Sequence, residues 1–589
     1  MKHSRRPLWR LLAALAALGL VAGACGDDDG GDAAEGSTDT TFAAEGGAVG
    51  EQEEATAAYG GRIVVGLEAE STTWTPGTAQ LTSGGLTVAN AIYDPLIARN
   101  ADGEYQPFLA ESLEPNDDLS EWTLTLRDGV TFHDGTPLDA ETLKWNFDTL
   151  HFENESGNTR GALLSAGVTG MEVVDDRTVV YQLSGPNAAF PDLLRGLIGM
   201  PVSRTAYEAD PAAFGDAPVG TGPFVFSSWV RNGSLTVERN PDYWLTDAEG
   251  QQLPYLDGIE FRPIEDEDSR SLSLQSNDIQ VLQTLRGATA KKVLDLVEDD
   301  SRDYAALTYV GNESGSAIFN TLRPPLDDVR VRRALALASD GELVAEVLGD
   351  DGLVPRSPGF FSADSPWYSE EASATYPGID GRDLEAATAL IDEYVNDPNR
   401  SDGKAPGEPV AVEYACLPDA TLIAVAQLQQ SLWSEAGVEV SLKQVEQAEL
   451  ISNAVGSPDQ EQPWSGTFLA NCWRSPAVTG DPLTDFQSFF GDPATSTGNF
   501  TNYSHPEIDA ALETLRTSSE FEERYAAVEA IQLRAYEDVP IAFSSGTPIL
   551  VGFRGDIHGI DEWGFADGNL GSGITGGVIR FHSTFMSVD

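Results

Sequence analysis

The sequence predicts an α/β fold of more than one domain, and three observations carry that expectation. Between residues 410 and 471, β-type runs and helical patterns alternate in the order β-α-β-α-β, which calls for parallel strands joined by right-handed crossovers. Trp122, Leu124 and Leu126 alternate with Thr123, Thr125 and Arg127, the two-residue period of a half-buried strand. The chain has 589 residues, is 41% hydrophobic and holds eleven Trp, enough for roughly two to four domains with real cores.

The N-terminus is not part of that fold. Residues 1–24 carry Lys2, Arg5, Arg6 and Arg10 and no acid. The apolar run that follows, 11–21, is too short for a bilayer span, which takes about 20 residues, and reads as the core of a signal peptide. It ends in Val21, Ala22, Gly23, Ala24 and Cys25, which resembles the lipobox of bacterial lipoproteins. That resemblance implies lipidation of Cys25 and anchoring at the outer face of the cell membrane. Ser4-Arg5-Arg6 leaves both the twin-arginine and the general secretory route open. Residues 26–60 hold ten acids and no Lys or Arg, so 25–60 is expected to be an extended flexible tether.

Charge excludes one class of partner. Asp and Glu number 94 against 35 Lys and Arg, a net charge of -59. A surface of that sign repels phosphate, so nucleic acid is not a partner.

In the α/β region, the strand from 410 to 414 precedes a helix over 421–436, a strand over 438–442, a polar helix near 447–455 and a third strand from 467 to about 471. First and third strands of such a sheet can be neighbours. Cys416 and Cys472 then stand at carboxyl ends, beside the crevice where open α/β sheets bind ligands, and a disulfide between them is expected in an oxidising compartment. Farther upstream, Val331, Ala334, Leu335, Ala338, Leu343 and Val347 repeat at helical spacing over 329–348 and predict core. Gly220 and Gly222 suit a turn where a side chain would clash.

Catalytic chemistry is thinly represented. His133, His151, His505, His558 and His582 lie too far apart for an HExxH-type metal site, and there is no G-x-S-x-G elbow. Gly571 to Gly576 matches G-x-G-x-x-G, but too little chain follows for a dinucleotide fold, and it reads as a turn. The acids Glu265 to Asp268 read as a solvated face. Neither an enzyme nor a cofactor or metal is expected.

Several ordered segments resemble one family. They begin with Ala91-Ile92-Tyr93-Asp94-Pro95-Leu96-Ile97, Gln106-Pro107-Phe108-Leu109-Ala110 and the run from Trp122 to Leu138. Pro218-Val219-Gly220-Thr221-Gly222-Pro223-Phe224, Asn240-Pro241-Asp242-Tyr243-Trp244 and Leu253-Pro254-Tyr255 follow. Phe319-Asn320-Thr321, Pro325 to Leu335 and Asn499 to Asp509 complete the set. Together they are similar to solute-binding protein family 5, the extracytoplasmic receptors of peptide, nickel and related ATP-binding cassette importers. The resemblance implies a two-lobe periplasmic-binding-protein-like fold, type II and cluster C-like, with an extra small inserted domain. Lobe one is expected at 61–95, 218–310 and 545–589, the small domain at 96–217, and lobe two at 311–544. It also implies a monomer that closes on a small-molecule or peptide solute and delivers it to membrane permease subunits.

Within that frame, the ligand site is expected at Ser71, Thr72, Thr73 and Trp74, after the first strand of lobe one, and at Asn471, Cys472, Trp473 and Arg474. Trp74 and Trp473 would sandwich an apolar or planar group while Arg474 meets a carboxylate. Peptide-binding members carry W-x-x-D-x-x-D-P, in which the first aspartate receives the amino terminus. Here Pro476 takes that place and Asp481 is the remaining candidate, so peptide specificity is in doubt. Nickel binding has no His signature. A secreted hydrolase with a carboxylate pair and a sensor on the same scaffold are the alternatives.

Overall fold

The computed structural model describes residues 47–50 and 55–587, apart from 156, 158, 300–302, 312–314, 351, 354–358, 364, 419, 446–448, 451–452, 454–468, 475–479, 492–498 and 544–545. The signal sequence, Cys25 and most of the acidic tether therefore lie outside the described residues. No helix among them is long and apolar enough to cross a membrane.

Three larger sheets organise the chain. The first has eight strands in the order Gly47–Val49, Tyr304–Gly311, Thr547–Arg554, Val281–Thr284, Arg62–Leu67, Gly258–Pro263, Ser234–Arg239 and Phe224–Val230. The second has five, in the order Val438–Gln444, Val410–Cys416, Ala470–Arg474, Gly315–Phe319 and Ile541–Phe543. The third is an antiparallel set of four, Ala110–Pro115, Glu121–Leu126, Thr178–Leu183 and Val168–Val173. Each packs its own apolar cluster. The chain leaves the first sheet after Gly311, enters the second at Gly315, and returns between Phe543 and Thr547.

The local readings follow the hydrophobic period. In Glu121–Leu126, Trp122, Leu124 and Leu126 are buried and Glu121 and Thr123 exposed. Strand Val410–Cys416 pairs in parallel with Val438–Gln444 on one side and with Ala470–Arg474 on the other, which makes first and third strands neighbours as the spacing predicts. The helix between, Ala420–Glu435, is held by Trp433, whose indole N–H donates to the Leu335 carbonyl at 3.0 Å and to Ser339 Oγ at 3.1 Å.

Four expectations need correcting. The tether does not run unbroken to residue 60, because Gly47–Val49 pairs antiparallel with Tyr304–Gly311. These three residues are small and uncharged, and the neighbouring strand offers an open edge of backbone donors and acceptors. The helix over 329–348 is two helices, Val329–Ala338 and Gly341–Leu348. Ser339 is extended and Asp340 caps the second by accepting from the Glu342 and Leu343 amides, as a short carboxylate at such a position favours. The turn rotates Leu343 and Val347 out to 38% and 39% exposure. The third strand of the five-stranded sheet runs from Ala470 to Arg474, so Trp473 and Arg474 belong to the strand, opposite Ser316 and Gly315.

The expected disulfide is not formed, the fourth correction. Cys416 and Cys472 are buried free thiols, one register step beyond the paired Ala415 and Asn471. Side chains of neighbours in a parallel pair stand side by side, whereas a disulfide needs the two Cβ atoms to converge to about 3.8 Å. Instead a hydrogen bond with Cys472, together with burial, pushes the Cys416 thiol far up and keeps it protonated. Glu265, Asp266 and Asp268 are exposed, as expected of a solvated face, and these acids also serve the local structure. Asp266 caps Glu267–Gln275, Glu267 pairs with the buried Arg270, and Asp268 pairs with Lys292.

Several of the motif segments converge on one carboxylate. Asp94 is wholly buried. It accepts from Tyr243 Oη at 2.9 Å, Trp244 Nε1 at 2.8 Å and Thr221 Oγ1 at 3.4 Å, and His582 Nε2 stands at 3.4 Å. Gly220 and Gly222 flank Thr221 because the chain presses there on residue 92: a Cβ on Gly220 would sit 2.2 Å from the Ile92 carbonyl oxygen, and one on Gly222 2.5 Å from its carbonyl carbon. Gly220→Ala is therefore expected to cost about 1–3 kcal/mol or more by overpacking, read as a lower urea midpoint at unchanged slope. A midpoint equal to that of the parent would show that residue 92 yields without cost.

Candidate functional site

A cleft of about 880 Å³ opens where segments associated with all three sheets meet. One wall carries Arg99, Tyr105 and Trp122. A second is built by Tyr309 to Gly311, Thr547, Ile549 and the stretch Ser572 to Gly576. The third carries Ser362, Trp367, Asp481, Phe521 and Arg524. Its chemistry is mixed: hydroxyls from Ser362, Ser572 and Thr575, and aromatic faces from Trp122, Tyr309, Trp367 and Phe521. Trp367 and Phe521 stack obliquely with ring centres 5.1 Å apart, and Phe521 is 48% exposed.

The turn at 571–576 owes its shape to its glycines. A Cβ on Gly571 would run into the Trp563 ring at 2.2 Å, and Gly573 takes the left-handed conformation with φ of +62°. The G-x-G-x-x-G match is a turn, as expected from the sequence, but one that lines the cleft.

Behind the first and third walls lies a cluster of three guanidinium and three carboxyl groups. Strand Ile97–Arg99 pairs with Tyr105–Pro107, setting Arg99 over the Tyr105 ring at 4.8 Å. Arg99 Nη2 donates to Tyr105 Oη at 2.8 Å and lies 3.7 Å from Asp192, and Tyr105 Oη donates in turn to Asp192 at 3.1 Å. Arg195 Nε also donates to Asp192, at 2.5 Å. Arg524 Nη2 reaches both oxygens of Asp481 at 2.5 Å, while its Nη1 donates to the carbonyls of Leu515 and Ser518.

The three carboxyls titrate apart. Burial raises Asp192, but Arg195, Arg99 and the hydrogen bonds outweigh it and hold the group below the ordinary carboxylate range. Asp481 is raised by burial and by Asp192, with Arg524 opposing. Asp485, one turn along Pro482–Gln487, is pushed well up by burial and by the Asp192 charge, and its Oδ2 is buried with no partner among the described residues. Burial thus disfavours the charged form of both Asp481 and Asp485, while the arginines keep Asp192 ionised.

The sequence-predicted residues fare unevenly. Ser71 is buried and donates to the Thr73 carbonyl at 2.7 Å; Thr72 is exposed, its carbonyl accepting from Arg231 at 3.0 Å. Trp74 is 3% exposed and packs edge-on against Trp229 at 5.5 Å. None of Ser71, Thr72, Thr73 or Trp74 lines the cleft; the loop folds back into the core of the first sheet, because an indole gains more from burial there than from exposure. Asn471 and Cys472 are buried in the five-stranded sheet. The side chains of Trp473 and Arg474 lie outside the described residues. Asp481 does line the cleft, but as an ion-pair partner of Arg524 and as the cap of Pro482–Gln487, accepting from the Leu483 amide at 2.9 Å.

Arg99, Tyr105, Trp367, Phe521 and Arg524 were not singled out by sequence. Arg99 stands two residues past the Ala91 to Ile97 motif, and only the folded strand pair sets it opposite Tyr105. Trp367 has no periodic neighbours that would mark it.

Comparison with known proteins agrees with this architecture. Residues 104–497 match the family described as bacterial extracellular solute-binding proteins, family 5 Middle. Protein XP55 of Streptomyces lividans is 28% identical over 493 residues, covering 82% of each chain. The glutathione-binding protein GsiB of Salmonella typhimurium is 29% identical over 323 residues, 53% of this chain and 60% of that protein. Among solved structures, the ABC transporter substrate-binding protein CtaP of Listeria monocytogenes superposes with a TM-score of 0.69 at 21% identity, over 90% of this chain and all of that one. The binding protein AgaA of A. tumefaciens, in complex with agropinic acid, gives 0.69 at 23% identity, over 90% and 99%. These likenesses establish the two-lobe α/β fold of periplasmic binding proteins.

Proposed function

Because the chain belongs to family 5 of the bacterial extracellular solute-binding proteins, we propose that it captures a small solute in the 880 Å³ cleft and presents it to the permease of an ABC importer. The observation that carries this reading is the cleft itself, whose walls come from segments far apart in the chain, Arg99 to Trp122, Tyr309 to Gly311 and Trp367 to Arg524. A ligand there touches every wall at once and favours the closed arrangement over the open one. The lobes are 61–95 with 218–310 and 545–589, and 311–544, with 96–217 as the small domain. Cys25 carries the lipid that anchors the body, and the acidic segment that follows it holds the body off the membrane.

The protein acts without catalysis. Of the carboxyl groups on the cleft lining, Asp481 is held by Arg524 and Asp102 and Glu104 stand exposed at the rim, which does not favour a buried hydrolytic pair. Small-angle scattering on the purified chain, first stripped of solute and then saturated with whatever solute co-purifies, is the test. The radius of gyration is expected to fall on saturation. A radius unchanged under proven saturation would defeat hinge closure.

A further inference from the structure

We propose that the inserted small domain, 96–217, is the clasp of the cleft: its segment 187–195 docks on lobe two and sets how much of the protein stands closed before solute arrives. This role rests on the two-lobe solute-binding reading and gives the inserted domain a part in it. The small domain is built onto lobe one. His133 donates its amide to the Gly220 carbonyl at 2.9 Å and sets Nε2 3.0 Å from the Gly222 carbonyl, Arg127 lies over the Trp244 ring at 5.5 Å, and the Ser572 amide donates to the Arg99 carbonyl at 3.1 Å. Lobe two is met by a different stretch. The Ala188 amide donates to the Arg516 carbonyl at 2.8 Å, and Ala189 is buried in the apolar cluster of the five-stranded sheet, whereas its neighbour Phe190 is buried in the small domain's own cluster. Gly480 approaches so closely that a Cβ there would sit 2.7 Å from Asp192 Oδ2, and the Asp481 amide adds a hydrogen bond to that carboxylate. Ala188, Gly480 and Asp481 all line the cleft, so the contact runs along its edge.

Both faces of the clasp are preset. On the small domain, Asn187 Oδ1 accepts from the Ala189 amide at 2.9 Å and its Nδ2 donates to the Ala166 carbonyl at 3.0 Å, which fixes the turn that presents Ala188. Asp192 is held by Arg195 and Tyr105. On lobe two, Arg524 organises both elements that meet the clasp: it grips the Asp481 carboxylate, and its Nη1 donates to the Leu515 and Ser518 carbonyls on either side of Arg516. Faces ordered in advance lose little conformational freedom when they meet, so docking costs little. A contact of two hydrogen bonds and one buried methyl group is also small enough to part. Solute then meets a population already closed in part, and its apparent affinity scales with that fraction.

The test uses the full chain stripped of solute by dialysis through guanidinium, its fold checked by tryptophan fluorescence, so no added solute is needed. Hydrogen exchange over 187–195 and small-angle scattering are the two readouts. In the parent, the amides of 187–195 are expected to be protected. Gly480→Val, whose added methyls meet Asp192 only when the clasp is shut, should raise the radius of gyration and speed exchange over 187–195. Asp192→Asn, which removes the charge that the Asp481 amide meets, should do the same. The expected factor in exchange is about ten, the scale of one charged hydrogen bond, while exchange over Glu121–Leu126 stays at the parent value. Gly480→Ala, a smaller push, takes the place of Gly480→Val should that protein fail to fold. Exchange and radius equal to the parent's in both folded variants overturn the clasp. Faster exchange with an unchanged radius marks fixed packing of the two domains and overturns it too, as do parent amides that exchange as freely as those of an exposed loop. Solute capture is judged separately, by native mass spectrometry of chain purified without denaturation. A bound small molecule there, beside any of the overturning results, leaves the solute-binding reading intact; its absence defeats that reading and the role of the clasp with it.

Discussion

Asp94→Ala is expected to lower stability by about 3–5 kcal/mol, the usual cost of removing one partner from a buried charged network. The carboxylate is wholly buried and receives Tyr243, Trp244 and Thr221. Arg580 and His582 lie close enough for its charge to raise both of their pKa values against a larger opposing effect of burial. Taking the charge away strands three donors and leaves the Arg580 guanidinium, itself buried and with Nη1 unpartnered among the described residues, without its counter-charge. Asp94→Asn retains an acceptor and should lose less. Urea unfolding monitored by tryptophan fluorescence gives both numbers, and an Asp94→Ala protein within about 1 kcal/mol of the parent would mean that water has replaced the lost contacts.

Acid should destabilise the fold through His151. The imidazole is 1% exposed, its Nδ1 lies 2.9 Å from Thr159 Oγ1, and its Nε2 has no partner among the described residues. Burial lowers its pKa from 6.5 to about 4. The sign follows from proton uptake: between these values the unfolded chain binds a proton that the native protein refuses, so stability is lost as pH falls from about 6.5 to 4. The loss attributable to this group reaches about 3 kcal/mol at the acid end, at 1.36 kcal/mol per pH unit. His133 and His582, also lowered chiefly by burial, act in the same direction, whereas the raised Asp481 and Asp485 act oppositely. The measurement is therefore a difference: the stability of the parent minus that of His151→Gln, taken at pH 7 and again at pH 4.5. A difference that does not change with pH would show that the native protein protonates His151 as readily as the unfolded chain does.

Local patterns were legible wherever burial follows a period. The strand at Trp122, the parallel pair of Val410–Cys416 and Val438–Gln444 and the close turn at Gly220 each leave a local residue pattern, although the pair joins positions 28 apart and Gly220 is confined by Ile92, 128 positions away. The site was much less legible. Trp74 is an aromatic in a polar loop, which sequence reads as exposed, yet Trp229, 155 positions away in the chain, covers it. Asp481 reads as a free acid until Arg524 is brought to it. Arg99 is oriented only because Tyr105 and Asp192 meet around it.

By itself, then, the sequence determined the α/β class, the excess of acid that turns nucleic acid away, the ordered motifs that resemble family 5, and the glycines at the tight turn. Each of these is read from composition, from chain order or from a local residue pattern, even where the contact behind the pattern is distant, as for Gly220 and Ile92. Only the tertiary structure decided which charges are spent and which remain. It neutralised Asp481 with Arg524, buried Trp74, left Cys416 and Cys472 as thiols side by side, and set Arg99 beside Asp192. The reason is physical: the interaction and pKa of a charge depend on distance and burial, and both are set by segments that meet only when the chain is folded.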